Sequence, residues 1–408
     1  MQAPAADIPP GTNSVTLDAL VAEALQKNPE ANFYQAEIAA AKGERRTAGA
    51  YPNPEVSGEI GRKRVTGGGL AAEGTAWSVS VMQPFEYPGR LALRKAIANR
   101  QIELAEAGYA QFKAVLAARV RSLSYALLIA QQKADAAQQV AARGQELAEV
   151  FIERDPAGVT PLLETRIIEA SVIVSKRRAA EAAKAAQVAL FELNQLRGAP
   201  LADPLRIAET NLTFRPALPI AELVTAARTN NFEVRTRQIE LVQQGIRLDL
   251  NKSERWPTIS AGPTYSEENA GDKERVVGLG VSMPFPLWNR NQGDIQTAKS
   301  RQQQAETSLL LAQREAERGI REQAAAYEAL LRQMSFWRPD TLQQLRDAAE
   351  LADRHYRLGA VPVSTYVELQ KDYLEALEAI LDTQQEALEA RQQIDLLTGR
   401  ATTSESIP

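Results

Sequence analysis

Gln83-Pro84-Phe85-Glu86-Tyr87-Pro88-Gly89-Arg90 has a counterpart in Met283-Pro284-Phe285-Pro286-Leu287-Trp288-Asn289-Arg290, about 200 residues further along the chain. Each stretch closes a segment of alternating residues and opens a long helix-forming run. The correspondence extends outward on both sides. Asn28-Pro29-Glu30 matches Asn231-Phe232-Glu233, and Tyr51-Pro52 matches Trp256-Pro257. Gly158-Val159-Thr160-Pro161 matches Gly359-Ala360-Val361-Pro362, and Leu196-Arg197-Gly198 matches Leu397-Thr398-Gly399. A period this long marks a duplicated structural unit, not a short solenoid repeat.

The alternating segments read as strands. Val56, Gly58 and Ile60 alternate with Ser57, Glu59 and Gly61; Trp77, Val79 and Val81 alternate with Ser78, Ser80 and Met82. Gly67-Gly68-Gly69 marks the loop between them. The second copy repeats the pattern with Ile259, Ala261 and Tyr265, a polar loop at Asn269-Ala270-Gly271-Asp272, then Val277, Leu279, Val281 and Met283. Apolar residues on one face and small or polar ones on the other are the pattern of a transmembrane barrel strand. One such hairpin alone would also suit a soluble core. Two equivalent hairpins, each feeding a helix too long for a globule, favour the barrel.

The helices are equally legible. Ser14 to Asp18 opens a short helix that stops near Asn28-Pro29, and a second runs to about Ala50, where Tyr51-Pro52-Asn53-Pro54 breaks it. From Arg90 to Arg154 there is no proline, and a single helix of that length would span about 100 Å. Leu116, Val120, Leu123, Leu127, Ala130, Ala134, Ala137, Ala141, Gly144, Ala148 and Phe151 recur at steps of four and three, a heptad seam. Asp155-Pro156-Ala157-Gly158 turns the chain into a return helix. The second copy follows the same plan, with Pro339 expected to kink its long helix or change its packing partner.

These signals divide the chain into an extended segment 1–14, a first repeat 15–198, a proline-rich linker 199–219, a second repeat 220–400 and a tail 401–408. The first repeat holds a hairpin at about 52–85 and a helical hairpin at about 90–197. The second holds a hairpin at about 257–285 and a helical hairpin at about 290–398.

Composition excludes several classes. The net charge of -4 offers no basic footprint for nucleic acid. There is no cysteine, one histidine (His355) and four methionines, which is poor material for a transition-metal site. No cofactor is expected. Carboxylates such as Asp18, Glu23 and Glu30 lack a neighbouring nucleophile or phosphate loop, so no enzyme is read here. No apolar run is long enough for a membrane-spanning helix. No signal peptide is read, and Met1 to Asp7 resembles a mature N-terminus, so export is inferred from the barrel pattern.

Two hairpins supply four strands. The smallest bacterial outer-membrane barrels have about eight, and open edges in lipid leave backbone groups unsatisfied. Oligomerisation follows, and three copies would give twelve strands. The expected fold is mainly α with β: four strands per chain in a trimeric 12-stranded outer-membrane barrel, continued by a long α-helical periplasmic tunnel.

On these residues the chain resembles the TolC family of trimeric outer-membrane efflux channels, from about Val15 to Arg400. Ala50-Tyr51-Pro52-Asn53-Pro54-Glu55 and Gln83 to Arg90 look like its CzcC branch, which serves heavy-metal pumps for cobalt, zinc, cadmium or nickel. The resemblance implies a passive exit duct in the outer membrane, a homotrimer, a periplasmic adaptor (membrane fusion protein) and an inner-membrane RND pump driven by protons. It places adaptor-contacting tip turns at Gly158, Val159, Thr160 and Pro161 and at Gly359, Ala360, Val361 and Pro362. It also implies a periplasmic gate or pore formed by Glu164, Glu368 and Tyr356, with Thr365 where a family acid stands. The family's gate arginine falls on Val361, leaving Arg354, Arg357 or Arg166 as substitutes.

Each of these residues has a plainer reading. Glu164 and Glu368 can be solvated helix carboxylates, and His355 a partly exposed helix residue. Trp77, Tyr87 and Trp288 suit a membrane-interface belt but equally the packing of a strand–helix junction, where Pro84, Pro88, Pro284 and Pro286 belong. The rival functions are drug efflux or type I secretion through the same architecture, and, of another class, a soluble coiled-coil scaffold or a periplasmic adaptor. An adaptor would carry one helical hairpin, not two equivalent ones.

Overall fold

The structure is a computed structural model that describes residues 15–66, 72–154, 162–208, 214–338 and 340–400. Helices α1 (Leu17–Lys27) and α2 (Glu30–Ala48) lead into strands β1 (Glu55–Val65) and β2 (Ala72–Phe85). Helices α3 (Arg90–Arg154) and α4 (Leu162–Leu196) complete the first copy. The second copy runs α5 (Ile220–Asn230), α6 (Phe232–Ser253), β3 (Ile259–Ala270), β4 (Asp272–Ser282), α7 (Gln292–Ser335), α8 (Thr341–Arg357) and α9 (Val363–Leu397). The chain forms two compact units. One holds the strands with the flanking segments 34–54, 86–108, 233–258 and 283–312; the other holds the rest of the chain.

The four strands make one antiparallel sheet in the order β1-β2-β3-β4. The pairing of β2 with β3 joins the two copies, with Val79 opposite Tyr265 and Trp77 opposite Glu267. The β3–β4 connection is tighter than the loop expected there: Ala270 pairs with Asp272 around Gly271, whose φ of 92° suits glycine. Pro84 is not in a turn. It lies in β2 opposite Ser260, at the end of the strand where the lost N–H is tolerated.

The second long helix is interrupted. Helix α7 ends at Ser335 and α8 begins at Thr341, whereas α3 is continuous for 65 residues. Pro339, the expected cause, lies outside the described residues, as do the tip turn 158–161 and the loop 67–71.

The long helices bury more than the predicted seam. Leu116, Val120 and Leu127 pack with Leu20, Val21 and Leu193, so α3 meets α1 and α4. Tyr125, Ile129, Ala137 and Val140 pack with Tyr373, Leu374 and Leu377 of α9. A helix held from two sides needs a wider apolar stripe than a two-helix seam. Lys133–Asp382 at 2.5 Å and Arg143–Glu350 at 3.1 Å fix α3 to α9 and α8. The linker is also built in: Val15 and Ile207 form a parallel bridge, and the Tyr327 hydroxyl donates to the Arg215 carbonyl at 2.8 Å.

Both copies end alike. Gly198 and Gly399 have φ of 66° and 67°. Ala199 N–H donates to the Asn194 carbonyl and Arg400 N–H to the Asp395 carbonyl, both at 2.9 Å. This is the glycine-terminated helix cap in which left-handed backbone satisfies the last carbonyls.

Candidate functional site: strand wall and helix tip

The register sorts the sheet into two faces. On one lie Val56, Gly58, Ile60; Val81, Val79, Trp77; Ala261, Tyr265; and Val281, Leu279, Val277. Ile60 is 87% exposed and Leu279 86%, within a contiguous apolar band of the kind that marks a membrane or partner surface. From Phe85 to Trp77 this band measures about 27 Å along the strand at 3.4 Å per residue, enough for an outer-membrane apolar girdle. Beyond Trp77 the same face turns charged, with Arg64–Glu73 at 3.0 Å and Arg275–Glu267 at 2.9 Å. The opposite face carries Ser57, Ser78, Ser80, Thr264, Ser266 and glycines, a wall of small polar groups.

The predicted aromatics occupy both ends of the band. Trp77 lies 5.2 Å from the Tyr265 ring at the charged end. Tyr87 stacks on Trp256 at 5.6 Å at the helix end, and Trp288 is 92% exposed. Pro88 sits in the turn before α3, and Pro284 and Pro286 in the segment between β4 and α7. One residue that sequence reading passed over secures this junction. Arg90 is buried, and donates to the carbonyls of Ser253 at 3.0 Å and Trp256 at 2.9 Å and to Thr258 Oγ1 at 3.2 Å. Cationic donors at a helix C-terminus satisfy its open carbonyls and its dipole.

At the other candidate site, α3, α4, α8 and α9 converge on Leu147, Ile168, Ala352, Tyr356, Val363 and Tyr366. Tyr356 and Tyr366 stack at 5.3 Å. Burial, with the charge of Glu164 added, pushes the Tyr356 hydroxyl up to about 12. Glu164 thus lies within electrostatic range of Tyr356. Glu368 is exposed and Thr365 half-buried on α9, and no ion pair joins either Glu368 or Glu164 to another described residue. Gly359 turns the chain with φ 73°, followed by Ala360, Val361 and Pro362, which caps α9.

The substitutes for the missing gate arginine are mostly engaged elsewhere. Arg357 binds Asp353 at 3.0 Å and Glu146 at 3.2 Å, and Arg166 binds Glu169 at 2.6 Å. Arg354 is exposed and forms no ion pair among the described residues. Tyr366 was not singled out by the sequence, because a tyrosine in a helix reads as core until its stacking partner is known. Among the described residues no group of three or more His, Cys, Asp or Glu could hold a metal, and no helix is long and apolar enough to cross a membrane.

The chain thus joins a four-stranded sheet with one exposed apolar face to very long helices. Residues 223–400 match the family described as "Outer membrane efflux protein". The chain is 26% identical over 303 residues to the "Cobalt-zinc-cadmium resistance protein CzcC" of Cupriavidus metallidurans, covering 72% of this chain and 69% of that one. It superposes on the CmeC outer membrane channel of Campylobacter jejuni with a TM-score of 0.77 at 14% identity, over 99% of this chain and 92% of that one. A CusC structure gives 0.73 at 16% identity, over 98% of both chains. Over residues 223–400 the chain therefore matches the outer membrane efflux family, and over nearly its whole length it shares the fold of these channel subunits.

Proposed function

We propose that this chain, as a homotrimer, is the exit duct for heavy-metal cations of the cobalt, zinc, cadmium and nickel class. An inner-membrane RND pump and a periplasmic adaptor deliver the cargo. The observation that carries the cargo assignment is the 26% identity, over 72% of the chain, to a relative named for cobalt, zinc and cadmium resistance. The trimer is supported by the sheet itself. β1 and β4 are its edges, so their outer backbone groups need a neighbour in lipid. Pairing β4 of one copy with β1 of the next closes twelve strands.

In this reading Trp77, Tyr87 and Trp288 anchor the membrane interfaces, and the Pro84, Pro88, Pro284 and Pro286 segments form the barrel–helix junction. The turns 158–161 and Gly359 to Pro362 receive the adaptor. Glu164, Glu368 and Thr365 face the periplasmic aperture, where carboxylates favour cations, and Tyr356 packs behind them against Tyr366.

The test is growth of a strain lacking the gene on graded zinc, cobalt, cadmium, nickel, copper and silver, with dyes and detergents in parallel. Hypersensitivity to zinc, cobalt, cadmium or nickel supports the cargo. Sensitivity to dyes and detergents alone overturns it and moves the channel to drug export.

A further inference from the structure

The small-residue face of the sheet holds one charged arrangement that the functional reading does not use. Lys63 of β1 stands opposite Gly74 of β2, and Glu268 of β3 stands opposite Glu274 of β4. The Lys63 side chain crosses β2 altogether. Its Nζ donates to Glu268 at 2.5 Å and to Glu274 at 3.1 Å. The crossing is possible because the intervening positions on β2 are Gly74 and Ala76, whose side chains leave the path open.

Two carboxylates directly opposite on adjacent strands repel each other. Here the ammonium between them offsets that repulsion. The same face carries Glu55, Glu59 and Asp272, and Lys63 is the only basic residue on it among the described strand residues. Neither the hairpin alternation nor lipid contact requires this charge, because it points away from the apolar band.

We propose that Lys63 is a selectivity-determining residue of the channel: it sets how strongly the barrel lumen prefers small inorganic cations over anions. The inference rests on the trimeric-channel reading, which turns this face into the lumen wall. Three copies then place three ammonium groups within a ring of carboxylates. Such a ring attracts cations, and each ammonium lowers its field locally. Removing the ammonium deepens the cation preference; removing its two carboxylate partners reverses the change.

The full-length protein would be reconstituted in planar lipid bilayers, and the reversal potential read across a tenfold KCl gradient between 0.01 and 0.1 M. Lys63→Gln is expected to raise the potassium-to-chloride permeability ratio by about twofold, as expected for losing one positive charge per subunit in a carboxylate ring. The double variant Glu268→Gln/Glu274→Gln should lower the ratio, and Lys63→Arg should keep the wild-type value. At 1 M KCl, where the screening length is about 3 Å, the differences should vanish. An unchanged ratio in Lys63→Gln, or a change that persists at 1 M, overturns the inference while leaving the channel intact. Wild-type protein that inserts and conducts no ions overturns the channel reading, and the inference with it.

Discussion

Asn231 donates its side-chain amide to the carbonyl oxygen of Leu397, the last residue of α9, at 3.1 Å. The first copy makes the same bond from Asn28 to Leu196, the last residue of α4, at 2.9 Å. In each copy the asparagine that ends the first short helix thus caps the return helix. The close approach is why glycine follows. A Cβ on Gly399 would lie 2.4 Å from the Asn230 carbonyl oxygen, and one on Gly198 would lie 2.8 Å from that of Lys27.

The asparagine bond predicts a stability cost without loss of fold. Asn231 is 7% exposed, and its removal takes the partner from a part-buried helix-terminal carbonyl. Asn231→Ala should destabilise by about 1–3 kcal/mol. Thermal unfolding in detergent would show a lowered midpoint, and Asn28→Ala should behave alike.

Tyr366 predicts the opposite. Its ring is 2% exposed and stacked on Tyr356, and its buried hydroxyl has no hydrogen-bond partner among the described residues. Burial pushes its pKa up. Tyr366→Phe removes an unsatisfied group and keeps the packing, so it should hold or raise the melting midpoint. Tyr366→Ala removes the ring and should cost about 3–5 kcal/mol. A Phe variant as unstable as the Ala variant would show that the hydroxyl has a partner.

Glu317 gives a pH dependence. Arg228 of α5 donates to it at 2.7 Å and Arg321 at 2.9 Å, and these bonds hold its carboxyl below the ordinary carboxylate range. A depressed acid stabilises the fold fully above its unfolded value, about 4.3, and loses that contribution as pH falls through the folded one. Glu317→Gln should therefore melt earlier than wild type at pH 7. The gap should close progressively below about pH 4.

Glu368 tests the aperture. It is exposed on α9, free of ion pairs among the described residues. If it faces the pore, Glu368→Lys should reduce the potassium-to-chloride permeability ratio by roughly threefold. Unchanged conductance and selectivity would return it to the solvated helix surface.

Much of this architecture was legible because it is written in local periods. The alternation Val56-Gly58-Ile60 and Trp77-Val79-Val81 specifies which face of each strand is apolar. Leu196-Arg197-Gly198 and Leu397-Thr398-Gly399 mark helix ends through a backbone conformation that only glycine adopts cheaply. The tip was less legible. The stacking of Tyr366 on Tyr356 and the engagement of Arg357 with Asp353 and Glu146 depend on helices packing side by side. The break between α7 and α8 was readable only as a proline.

By itself the sequence determined the repeat, the strand faces and the long helices, because spacing along one chain encodes period and amphipathicity. The tertiary structure decided that β2 pairs with β3, which brings Lys63 to Glu268 and Glu274. It also decided that Arg90 caps α6 from another helix. Those contacts join residues far apart in the chain through backbone pairing and burial, and no local pattern carries a signal for which distant partner is chosen.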